Sequence, residues 1–229
     1  LDLSHHFITR VARKKLFDRL PSSHNGALRV LDYGTGTGIW AREVADGGKV
    51  VGFGGLHLVP IRPLLPKNTF FTDDESLLWE QEDRFDLIHT RVFSYDRRNW
   101  LTFIKKAYDR LKPGGWLEQE ALNLTVFSND PATPPNSLLE TLVRDMHKTT
   151  DDKNEEYLNF GATKAQLEDA GFINVKETII ELPIVLQEET DPNCHKLSDW
   201  FKGVLQFLLK SRPFPPPFFQ PGSRPYCKL

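Results

Sequence analysis

The stretch that decides the fold is Val30-Leu31-Asp32-Tyr33-Gly34-Thr35-Gly36-Thr37-Gly38. An apolar run ends in an acid, passes into alternating glycines and continues from Ile39 into helix-forming residues. Glycine accepts left-handed backbone angles and lets a ligand approach the main chain closely, so the pattern reads as strand, tight turn and helix N-terminus. A dinucleotide fingerprint would put its third glycine at position 39, which is Ile39. The spacing is instead D-x-G-x-G-x-G, with Asp32 two residues ahead of Gly34.

An acid at that point suits a ligand carrying an ammonium or sulfonium cation and disfavours a pyrophosphate. It therefore favours S-adenosylmethionine over NAD. On either side of the turn, short apolar runs alternate with helical periodicity. Strands are expected at 29–32, 49–53, 69–71, 85–89, 116–121 and 172–182, and helices near 39–45, 100–111, 138–147 and 164–170. Lys112-Pro113-Gly114-Gly115 reads as the stop of the helix ending at Leu111, and Gly171 as the stop of the one ending at Ala170. This alternation implies an α/β fold with a mostly parallel sheet and ligands at the carboxyl ends of its strands.

Four regions follow. Residues 1–26 carry an amphipathic helix, 27–186 the α/β domain, 187–210 a strongly apolar helix acting as core or lid, and 211–229 a proline-rich tail (Pro213, Pro215, Pro216, Pro217, Pro221, Pro225). The chain starts at Leu1 and its only methionine is Met146, so a fragment at the N-terminus is expected.

Composition narrows the function. The 229 residues include 29 basic and 31 acidic side chains, a net charge of −2, which gives no field to recruit nucleic acid. No stretch approaches the roughly 18 apolar residues of a membrane span. Cys194 and Cys227 cannot build a disulfide framework, and no Cys/His spacing suits a metal. A cytoplasmic or nuclear location is expected, with no nucleic-acid or membrane partner.

With those residues in view, the chain resembles class I S-adenosylmethionine-dependent methyltransferases. Within that class it is similar to the fungal secondary-metabolism group that includes the velvet-complex regulator LaeA. The likeness rests on Leu1–His6, Val30–Trp40, Asp73-Asp74 followed by Trp79, Phe85–Arg91 (FDLIHTR), Leu111–Glu118 (LKPGGWLE) and Ala170-Gly171-Phe172, and it fades after about residue 186. It implies a Rossmann-like three-layer sandwich. It implies that Asp32 receives the methionine amino group and that Gly34, Thr35, Gly36 and Gly38 pack against methionine and ribose. Asp73 and Asp74, above all Asp74, would meet the adenine amino group, and Thr90 and Arg91 would stand at the lip between cofactor and acceptor. Trp40 and Trp79 read as packing residues.

Two departures stand beside the resemblance. The acid expected after the second strand, where it would hold the ribose hydroxyls, is replaced by Gly54-Gly55, and no acid occurs between Asp46 and Asp73. The seventh, antiparallel strand of the class has no clear counterpart after Leu182, and the missing neighbour favours self-association. For an acceptor that must lose a proton, the candidate bases are His89 first, then Glu118, Glu120, His5 and His6. Two readings stay open. One is methyl transfer to a hydrophobic small molecule. The other is a methyltransferase fold that has lost transfer and serves as a cofactor-independent cyclase or isomerase, or as a regulatory partner.

Overall fold

The computed structural model describes residues 28–45, 48–54, 66–80, 82–92, 97–121 and 164–179, together with His5, Thr9, Thr141 and Gly203 singly. The chain divides into two units, Leu1–Asp2 with Lys15–Thr178, and Leu3–Lys14 with Ile179–Leu229. In the second, His5 and Thr9 are buried, and Thr9 Oγ1 donates to the His5 carbonyl at 2.7 Å.

The first unit holds β1 (Leu28–Tyr33), α1 (Ile39–Val44), β2 (Gly48–Phe53), β3 (Thr69–Thr72), α2 (Ser76–Trp79), β4 (Phe85–Val92), α3 (Arg97–Arg110), β5 (Leu111–Ala121) and α4 (Lys164–Asp169). The strands form one sheet in the order β3-β2-β1-β4-β5, and every neighbouring pair is parallel. From β1 the chain first builds β2 and β3 to one side and then returns to place β4 and β5 on the other. The order therefore reverses between β1 and β4, where ligands of such sheets bind.

The apolar residues of β1, β2 and β4 pack under helices on both faces of the sheet. Val30 pairs with Val50 and Leu87, and this row packs with Trp40, Ala41 and Val44 of α1. One residue on, Leu31 pairs with Val51 and Ile88. That row meets Leu78 of α2 and Trp100, Phe103, Ile104 and Ala107 of α3, with Leu167 of α4 at its margin. Two helical layers thus enclose the sheet, the three-layer arrangement expected for the class I methyltransferase fold.

Three local differences from the expected elements stand out. The helix stops one residue earlier than expected, at Arg110, and Leu111 already pairs with Phe85, while Trp116 pairs with Leu87. Lys112–Gly115 is therefore a bulge in β5 instead of a separate stop; the Gly114 φ of 77° absorbs the extra chain. α3 also begins earlier, at Arg97. The stretch expected as a strand at 172–182 carries no strand over residues 172–179. Gly171 (φ 105°) and Asn174 (φ 58°) are left-handed and break an extended run, and Ile173 is exposed. Gly171 does end α4 as expected, with its N–H on the Glu168 carbonyl and that of Phe172 on Leu167.

The expected helices at 1–26, 138–147 and 187–210, the seventh strand and the proline-rich tail lie outside the described residues, apart from His5, Thr9, Thr141 and Gly203. Among the described residues, no helix is long and apolar enough to cross a membrane.

Candidate functional site

At the carboxyl end of β1 the chain folds back over β2. The N–H groups of Gly34 and Thr35 both donate to the Phe53 carbonyl, at 3.0 and 2.9 Å, and Gly38 N–H donates to Thr35 O at 2.9 Å. Gly34, Gly36 and Gly38 are all left-handed, with φ of 84°, 57° and 72°, which explains glycine at each alternate position. Their surroundings differ. A Cβ on Gly34 would meet nothing within 4 Å, whereas one on Gly38 would stand 2.7 Å from the Phe71 ring. The turn is open at its start and packed at its end.

Asp32 closes the turn from below. Its carboxylate is almost wholly buried. Oδ2 accepts from Thr35 Oγ1 at 2.8 Å, and Oδ1 lies 2.8 Å from His89 Nδ1. A carboxylate only accepts, so Nδ1 carries the proton. The sheet supplies this pair directly, since Asp32 and His89 are register partners across β1 and β4.

His89 is 1% exposed. Its ring lies flat on Trp40, with centroids 3.7 Å apart and planes 5° from parallel. Nε2 has no hydrogen-bond partner and stands 3.9 Å from Glu120 Oε2. Glu120 is bonded to Arg91 Nε. Buried Asp32 and His89 and part-buried Glu120 and Arg91 thus form one array across β1, β4 and β5. Thr90, beside it, is fully buried, and its Oγ1 has no hydrogen-bond partner. The residue expected as first candidate base is enclosed, and Arg91 answers a carboxylate of its own sheet.

The acids after β3 stand elsewhere. Asp73 and Asp74 are exposed. Asp74 Oδ1 accepts from Ser76 N at 3.0 Å and Ser76 Oγ at 2.6 Å, fastening the start of α2. The side-chain and backbone donors of Ser76 hold the Asp74 carboxyl below its ordinary value. For Glu75, burial raises the carboxyl, but bonds from Trp79 and Lys106 outweigh it and the net shift is downward. At the end of β2, Gly54 is left-handed with open space around it, and its N–H donates to Thr72 O at 3.0 Å. Among the described residues, Gly54 is the one that directly follows β2, at the position where the resemblance puts an acid.

The structure brings together Asp32, Gly34, Thr35, Gly36, Gly38 and His89, and joins Arg91 to them through Glu120. It leaves Asp73 and Asp74 on the rim beyond β3. Phe71 escapes sequence reasoning, because nothing local marks one phenylalanine of a Thr-Phe-Phe-Thr strand as the one that packs on the glycine turn. The stacking role of Trp40 was within reach, since the residue lies on the first turn of the helix that the glycines open. Among the described residues, no group of three or more His, Cys, Asp or Glu side chains is arranged to hold a metal.

Comparison with known proteins accords with this architecture. The family described as a methyltransferase domain matches residues 4–177. The secondary metabolism regulator LAE1 of Cochliobolus heterostrophus is 32% identical over 222 residues, 94% of this chain and 72% of that protein. The methyltransferase pytC of Aspergillus terreus is 31% identical over 80% of this chain and 57% of its own length. The protein-methionine methyltransferase laeA of Emericella nidulans is 31% identical over 88% of this chain and 54% of its own. The chain thus spans between about half and three quarters of the relatives it matches. On the family match, the identity shared along most of its length and the parallel sheet that carries its glycine turn, this chain belongs to the methyltransferase domain family.

Proposed function

We propose that the chain binds S-adenosylmethionine at the glycine turn and transfers its methyl group to a hydrophobic small molecule. The observation that carries the reading is Gly34, a left-handed residue bordering open space at the point where the strand order reverses. The methionine half of the cofactor fits: Gly34 and Gly36 would face it, above the buried negative charge of Asp32. Asp73 and Asp74 would accept from the adenine amino group. The ribose half lacks its acid at Gly54. Hydrogen bonds to a charged group contribute about 1.5–3 kcal/mol each, so the affinity is expected to be modest.

When bound, the cofactor supplies a methyl group activated by a sulfonium centre. The work of the protein is then positioning, which by itself accounts for much of the acceleration in reactions of this kind. His89 is too enclosed to be assigned proton removal, and Glu120 is held by Arg91, so no base is assigned. The apolar sequence around Trp200, Phe201, Phe207 and Leu208 supports a hydrophobic acceptor.

Gly54 favours a second reading, a regulatory protein that keeps the fold without transfer, and the name of the LAE1 relative is consistent with it. One titration separates the two. S-adenosylhomocysteine is titrated calorimetrically into the wild-type chain and Gly34→Ala, with folding checked by circular dichroism. Binding on the order of 10 µM, lost in Gly34→Ala, supports the cofactor reading. No heat at about 1 mM from folded wild type overturns it and leaves the regulatory one.

A further inference from the structure

His89 touches the chain on both sides of the glycine turn. Asp32 stands two residues before the first glycine, Gly34, and Trp40 two residues after the last, Gly38. His89 Nδ1 donates to Asp32 Oδ1 at 2.8 Å, and its ring stacks on Trp40 at 3.7 Å. Both contacts are buried. Thr35, inside the turn, holds the other Asp32 oxygen. One side chain from β4 thus ties the end of β1 to the start of α1, and the turn is the loop between the two tie points.

We propose that His89 is a positioning residue, a staple that holds the glycine turn in its ligand-ready shape by acting through Asp32 and Trp40, without touching cofactor or acceptor. The physical case has three parts. A turn with three glycines in five residues has more backbone freedom to lose than one built of residues with side chains. A ligand that must order it binds more weakly than one meeting it already ordered. Two short, buried contacts of different kinds, a charge-assisted hydrogen bond and a parallel ring stack, fix both ends of that loop at once. The enclosure of His89, hard to reconcile with proton removal from an acceptor, is what a staple requires.

The affinity consequence rests on the cofactor reading above; the ordering of the turn does not. The experiment therefore has two arms, run on wild type, His89→Phe, His89→Asn and His89→Ala. His89→Phe keeps a flat ring over Trp40 and removes the donor. His89→Asn keeps a donor near Asp32 and removes the ring. Amide hydrogen exchange of the cofactor-free protein is expected to quicken at residues 34–38 in all three variants while β4 and α3 keep wild-type rates.

S-adenosylhomocysteine affinity is expected to fall about three- to tenfold for Phe and Asn, and further for Ala. Should His89→Ala not fold, Phe and Asn decide. Wild-type exchange at the turn, or exchange raised evenly through the whole sheet, overturns the staple. So does unchanged affinity with only turnover reduced, which would make His89 a catalytic base. If wild type binds no S-adenosylhomocysteine, the cofactor reading falls and the exchange arm alone settles the staple.

Discussion

Phe71 and Gly52 are register partners across β3 and β2, and the Phe71 ring occupies the space in which any larger residue at 52 would place its Cβ. That Cβ would stand 2.5 Å from Phe71 Cδ1 and 2.9 Å from Thr35 Oγ1. The same ring closes over Gly38. One aromatic side chain therefore ties the third strand to the glycine turn, and the two glycines exist to admit it.

Gly52→Ala is accordingly expected to destabilise the chain by about 1–3 kcal/mol through overpacking. Phe71→Ala alone removes buried apolar surface and also destabilises. In the double variant Gly52→Ala, Phe71→Ala the two losses should not add, because the second removes the clash of the first. Urea denaturation of the four proteins measures this; strict additivity would show that the ring and the glycine do not share the space.

Asp86 holds the opposite end of the sheet. Its Oδ2 accepts from Arg29 N at 2.8 Å and from Lys112 Nζ at 2.9 Å, and the carboxyl is 1% exposed. Asp86→Ala leaves the Arg29 amide without that acceptor and should lower stability by about 3 kcal/mol. Lys112→Ala leaves that buried carboxylate the Arg29 amide but no cation, and should lower stability by less, about 2 kcal/mol. Chemical denaturation checks both, and equal losses would contradict this ranking.

Asp74 gives a pH prediction. Its folded carboxyl is held below the ordinary value by the donors of Ser76. A depressed acid contributes stability that is fully present above the unfolded value of about 3.9 and is lost as pH falls below it through the lower folded value. NMR titration of the Asp74 carboxyl carbon should give a midpoint under about 3.9, and Ser76→Ala should bring it back up. A midpoint insensitive to Ser76→Ala would remove the proposed cause.

The acid missing after β2 can be replaced. Gly54 is left-handed at φ 83° and a side chain there meets open space; aspartate is among the residues that tolerate that conformation. Gly54→Asp is expected to tighten S-adenosylhomocysteine binding by about tenfold or more if its carboxylate reaches the ribose hydroxyls. Calorimetry decides it, and weaker binding would mean that the open space at Gly54 is not where the ribose lies.

Much of the fold is legible along the chain. The core of each described strand through β5 and the helices α1, α3 and α4 follow from local apolar periodicity and from glycine stops such as Gly171. The start of β5 is not legible, because Lys112-Pro113-Gly114-Gly115 has the composition of a loop, and only the pairing of Leu111 with Phe85 draws it into the sheet. The run after Phe172 shows the reverse: its apolar residues suggest a strand, but residues 172–179 carry none and Asn174 is left-handed.

The candidate site divides in the same way. The amino-acid sequence alone determined the glycine turn, the acid before it, the helix after it and the lack of an acid at Gly54, because each is a matter of residue type and spacing over a few positions. Only the tertiary structure decided what the acid does. Asp32 and His89 lie 57 residues apart, and their bond exists because β4 returns to the β1 side of the sheet after β2 and β3 have filled the other. Strand order is set by how the whole chain buries its apolar faces, so no local pattern could place His89 against Asp32, Phe71 over Gly38, or Arg91 on Glu120.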